Sequence, residues 1–91
     1  MRYIDVKWLH QNREDPIRLV SEIDSNDYET RKLEFFEDGR AGFACASASQ
    51  LGVELGTVSV PSLVEINATG EFEGTEICAA DFDALWAAVV R

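Results

Sequence analysis

The side chains that could do chemistry in this chain are few in kind. There is one histidine, His10, and two cysteines, Cys45 and Cys78, among seventeen acids and eight bases. A Ser-His-Asp or Cys-His site would have to use His10, because nucleophilic catalysis needs a base within hydrogen-bond reach of the nucleophile. His10 opens a polar tract, HQNRED, far in sequence from both cysteines, and reads as a solvated loop histidine. A structural zinc site wants four Cys or His ligands at close spacing; three scattered ones do not supply it. Asp24-Ser25-Asn26-Asp27 begins like a calcium loop, but Tyr28 and Glu29 follow, with no loop glycine and no closing bidentate Glu at the right distance. It reads as a turn. Gly39, Gly42, Gly52 and Gly56 match neither a phosphate loop nor a dinucleotide fingerprint and have no adjacent Lys. Carboxylate pairs suited to acid-base work are too many to single one out, so a small carboxylate enzyme is the third reading. The expectation is no catalytic residue, no metal and no cofactor.

What remains is charge. The chain carries −9. Residues 1–46 hold ten acids and seven bases; residues 47–91 hold seven acids and one base. Binding to phosphate backbones or anionic membranes relies on Lys and Arg, so neither nucleic acid nor membrane is an expected partner. A basic protein surface is, with association fastest at low salt. The candidate contact residues are the second-half acids Glu54, Glu65, Glu71, Glu73 and Glu76, with Phe72 as an apolar anchor between two of them. The competing reading of the same acids is solubility alone.

Something must position these residues. Ninety-one residues suit one domain spanning 1–91. RYIDVKWL at 2–9 alternates, with Ile4, Val6 and Trp8 on one face, and predicts a half-buried strand. A second strand follows Pro16, with Ile17, Leu19 and Ile23 alternating against polar residues and Val20. Tyr28 to Ala46 then predicts a hairpin about Asp38-Gly39, the favoured pair for a two-residue turn. That turn sets Glu37 opposite Arg40, Phe36 opposite Ala41 and Phe35 opposite Gly42. Val58–Val60 is a candidate fifth, edge strand, residues 61–66 a single helical turn near Pro61, and residues 69–74 an acidic loop. Phe82, Leu85, Trp86, Val89 and Val90 form a helical apolar stripe, expected to bury Trp86 against Ile4, Val6, Leu19 and Leu33 or Phe35. The fold class is α+β: a four-stranded antiparallel meander, five with the edge strand, packed by a C-terminal α-helix. One helix covers one sheet face, so Tyr3, Leu9, Val20 and Phe36 would leave apolar surface on the other. A homodimer through that face is the alternative reading. No apolar leader precedes the first strand and no run approaches a membrane span, which predicts a cytoplasmic protein with reduced thiols.

The pieces YIDVKWLH, YETRKLEFFEDGRAGFA, VPSLVEIN and EICAADFDALW together resemble a bacterial family of small domains of unknown function. The resemblance spans nearly the whole chain and implies a short antiparallel sheet closed by a C-terminal helix. It implies no activity and transfers no functional residue. Family members favour Ser before the final helix; here Cys78 stands there, without a side-chain oxygen to cap it. By analogy with other small acidic domains, the function expected is a non-enzymatic immunity or inhibitor protein. It would dock a basic toxin or nucleic-acid-handling complex.

Overall fold

The computed structural model describes residues 1–90. Its first five strands are β1 (Arg2–Trp8), β2 (Arg18–Ile23), β3 (Glu29–Phe35), β4 (Ala41–Cys45) and β5 (Ala48–Gln50). These are followed by α1 (Leu63–Ala68), β6 (Phe72–Ile77) and α2 (Ala79–Val89). The six strands form one antiparallel sheet in the order β5-β4-β3-β2-β1-β6. The α+β class holds, with six strands rather than four or five. The meander from β1 to β5 uses short local connections. The chain then returns to lay β6 beside β1.

Three expected segments differ. Val58–Val60 is not a strand, and the fifth strand of the meander is Ala48–Gln50 instead. The acidic loop expected over 69–74 is a turn through residue 70 followed by β6. The helical turn near Pro61 extends over 63–68, with Ser62 as N-cap accepting from the Glu65 amide.

The hairpin register is shifted by one residue. Phe35 stands opposite Ala41 and Leu33 opposite Phe43. The Phe36 amide donates to the Arg40 carbonyl at 2.9 Å, and the Gly39 amide donates to the Phe36 carbonyl at 3.0 Å. The loop therefore has three residues, Glu37, Asp38 and Gly39, and closes on Gly39 at φ +91°, where a Cβ would be strained. The reason lies in the core. A one-residue slip moves a strand's side chains to the other face. The observed register gathers Leu33, Phe35, Ala41 and Phe43 on one side, where the expected one would set Phe43 opposite Glu34. The anticipated Glu37–Arg40 pair is replaced by Arg40 bonding Asp38 at 2.7 Å and lying over the Phe36 ring.

Both sheet faces are covered. On one, Val20, Leu33 and Phe82 are buried, with Tyr3, Phe35, Phe43, Ile77, Leu85, Trp86 and Val89 packed around them. The helical stripe of α2 forms as its spacing predicts, and Cys78 at its N-cap makes no side-chain hydrogen bond. The second face holds Ile4, Val6 and Ile23, with Leu19, Val60, Leu63, Ile66 and Phe72 against them. So Trp86 does pack with the core, but on the face opposite Ile4, Val6 and Leu19. Strand parity makes this unavoidable: Val20 and Leu33 sit across from each other, and Leu19 points the other way. Val20 and Tyr3, expected to be open, lie under α2, so the apolar sheet face suggested for a homodimer is not exposed at these positions.

Candidate protein-docking site

The five candidate glutamates are placed by β6 and the residue before it, by α1 and by the segment before α1. The Leu9 amide donates to the Glu71 carbonyl at 2.8 Å, and Lys7 pairs with Glu73 and Val6 with Gly74. Alternation then sets Glu73 and Thr75 on the α2 side and Phe72, Gly74 and Glu76 on the α1 side. Gly74 is what lets α1 approach. A Cβ there would stand 2.8 Å from Leu63 Cδ2 and 3.3 Å from Val6 Cγ2. The Asn67 side chain seals the contact, donating to the Gly74 carbonyl at 3.1 Å and accepting from its amide at 2.6 Å.

The segment from Val53 to Pro61 lies over the same face and is pinned at several points. Val53 is fully buried over Gly42. The Glu29 carboxylate accepts from the Gly56 amide at 2.7 Å and from the Ser21 hydroxyl at 2.9 Å. Lys32 lies between Glu29 and Glu34, at 3.7 and 3.4 Å, and its ammonium reaches the Glu54 carbonyl at 3.5 Å. The Val60 amide donates to the Asp27 carbonyl at 2.7 Å. Between this segment, α1 and the sheet is an open pocket of about 210 Å³. Its walls are mainly Ile4, Val6, Leu19, Val60, Ile66 and Phe72, with Ser21, Glu29 and Lys32 at one end.

Against this geometry the six candidate contact residues divide. Glu54, Glu65, Glu71, Glu73 and Glu76 are all exposed, and none has an ion-pair partner among the described residues. Glu54, Glu65 and Glu76 lie on the pocket side of the sheet. Glu71 stands just before β6. Glu73 is on the α2 side, sharing a shallow surface with Asp5, Lys7, Arg18 and Thr75, so its charge is offset by neighbouring bases. Phe72 is not an exposed anchor: it is half-buried, lines the pocket and stacks on Trp8 with ring centroids 5.8 Å apart.

The bases are distributed otherwise. Arg2 pairs with Asp27, Arg18 with Asp5 and Arg40 with Asp38. Arg31 holds Glu22 through two bonds, of 2.9 and 2.5 Å, reaches Asp83 at 3.0 Å and lies over the rings of Phe82 and Trp86. The Arg31 hydrogen bond is the main cause that brings the Glu22 carboxyl down to about 2, and Glu22 in turn raises Arg31. This cluster ties α2 to the sheet. His10 is also structural: its Nδ1 accepts from the Asn12 amide at 3.0 Å, so Nε2 donates to the Pro16 carbonyl at 2.7 Å. It organises the β1–β2 loop rather than standing free in solvent. Among the described residues no three His, Cys, Asp or Glu side chains gather as a metal site requires, and no helix is long and apolar enough to cross a membrane. Cys45 and Cys78 are free thiols, half-buried and exposed respectively.

Sequence reasoning missed the pocket because its walls come from β1, β2, α1, β6 and the loop before α1. The one available signal was the surplus of apolar residues on the Ile4, Val6 and Leu19 face, which a single helix packed on the other face leaves uncovered.

The domain of unknown function DUF6881 matches residues 2–91, nearly the full length. The chain belongs to the DUF6881 family. No curated protein and no solved structure matches it. Membership in DUF6881 carries no activity with it, so what this member does has to be argued from its own surface.

Proposed function

We propose that this DUF6881 domain is a non-enzymatic binding module that docks a basic surface of another protein on the pocket side of its sheet. The observation that carries this is the contrast in pairing. Glu54, Glu65 and Glu76 are exposed and unpaired on that side, whereas five of the bases, Lys32 at the pocket among them, are already held by acids. Uncompensated charge of one sign steers a partner of the other and selects against like-charged surfaces. An immunity or inhibitor protein fits this best, because toxins and complexes that handle nucleic acid present basic surfaces.

The test is capture from host lysate on the immobilised domain, comparing the native chain with the triple variant Glu54→Gln, Glu65→Gln, Glu76→Gln. The expected result is a stoichiometric basic protein, held at low salt, released at high salt and not held by the variant. Equal capture by both proteins, or capture of nothing basic, overturns the reading.

A further inference from the structure

We propose that the pocket between α1, the 53–61 segment and the sheet receives one apolar side chain from a lysine- or arginine-rich segment of the partner. The inference rests on the docking reading above and adds to it the chemistry of the occupant. Its size sets the first limit. At about 210 Å³ the pocket is smaller than the roughly 300–1,000 Å³ of drug- or cofactor-sized sites. It is larger than the roughly 150 Å³ that admits a benzene ring elsewhere. One Leu, Met or Phe side chain is the natural scale.

The lining sets the second limit. Ile4, Val6, Leu19, Ile66 and Phe72 offer contact without hydrogen-bond donors for an anionic head. The cation that lines the pocket among the described residues, Lys32, is flanked by Glu29 and Glu34, so this end carries more carboxylate than ammonium. The surroundings set the third. Ile66 follows the exposed Glu65, and Ile4 pairs with the exposed Glu76. The 53–61 segment leaves Val58 75% exposed, and α1 leaves Val64 81% exposed. An apolar pocket with the unpaired carboxylates of Glu65 and Glu76 next to its lining residues matches an apolar side chain with basic neighbours.

The probes are two capped pentapeptides, Lys-Lys-Leu-Lys-Lys and Lys-Lys-Ser-Lys-Lys, together with toluene, followed by methyl and amide NMR on the full chain. The Leu peptide is expected to shift the signals of Ile4, Val6, Leu19 and Ile66 and to bind roughly tenfold to a hundredfold tighter than the Ser peptide. Leu19→Phe and, separately, Val60→Phe should fill the pocket and reduce the Leu peptide to the Ser peptide's affinity. Unchanged Phe82 and Trp86 signals show that each variant is folded. If both peptides bind alike, moving only Glu54, Glu65 and Glu76, the pocket inference fails and acidic docking stands. If neither binds at low salt, both fail. If toluene alone enters the pocket, it is a small-molecule site and the inference is overturned.

Discussion

Asn67 holds both backbone groups of Gly74, its amide nitrogen donating to the carbonyl and its oxygen accepting from the N–H. β6 is an edge strand, and its even-numbered residues turn their backbone groups away from β1. Asn67 thus takes the place of a seventh strand at the middle of the edge, and ties α1 to it. An unguarded edge invites pairing with another chain. Asn67→Ala is expected to cost about 1 kcal/mol in urea unfolding and to speed hydrogen exchange at the Gly74 amide. Asn67→Asp retains the acceptor and loses the donor, so it should keep part of that amide's protection. Unaltered exchange in Asn67→Ala would show the clamp to be unimportant.

The Glu22–Arg31 pair makes stability depend on acid. Glu22 titrates near 2 in the folded protein, against an ordinary 4.5. A depressed carboxyl contributes stability that is fully present above the unfolded value and is lost as pH falls from about 4.5 toward 2. The side chain is only 10% exposed, so little screening applies, and the contribution is on the order of 3 kcal/mol. Glu22→Gln should lose about that much at pH 7 and less at pH 3. The difference between the two proteins' urea midpoints, followed from pH 6 to pH 2.5, checks this; a constant difference would contradict it.

Gly42 is a second point of close approach. A Cβ there would stand 2.7 Å from the Gln50 carbonyl oxygen and 2.7 Å from Val53 Cγ2. The first contact is backbone and cannot rotate away. Gly42→Ala is therefore expected to destabilise by about 1–3 kcal/mol, as overpacking does, and to loosen the 51–60 segment. Thermal unfolding measures the first effect, and amide exchange at Gly56, bonded to Glu29, measures the second.

Val20 is fully buried beneath α2. Val20→Glu would place a carboxylate without a partner among Leu33 and Phe82, a change that costs well over ~4 kcal/mol at such sites. The variant is expected to lose its near-ultraviolet circular dichroism and to unfold at low urea. Leu9→Glu, on an exposed side chain, should be close to neutral. A folded, monomeric Val20→Glu would mean that α2 does not cover this face.

Much of the fold was legible because its signals are local. Alternation over Tyr3–Trp8 and Leu19–Ile23, turn chemistry at Asp24–Asp27 and the stripe from Phe82 to Val89 each depend on neighbours within a few residues. Asp24 behaves as its type suggests, its carboxylate accepting from the amides of Asn26 and Tyr28. β6 was not legible because Gly74 argues against a strand. That glycine is there to admit Leu63, which no local pattern reveals. The hairpin register was misread for a similar reason: Asp-Gly fits two loop lengths, and the choice rests on which side chains must share a face with α2.

For the candidate site the division is the same. The sequence by itself determined the excess of acid after Arg40, the lack of a nucleophile–histidine or phosphate-loop pattern, and the amphipathic character of β1 and α2, since these depend only on residue types and their spacing. The tertiary structure decided which sheet face α2 covers, that Phe72 stacks on Trp8 instead of facing solvent, and that Glu73 parts from Glu76. It also decided that α1 and the 53–61 segment roof a pocket over Ile4 and Val6. Those outcomes depend on pairing β1 with a strand some seventy residues away. That pairing is set by burial summed over the whole core, which no short stretch of sequence contains.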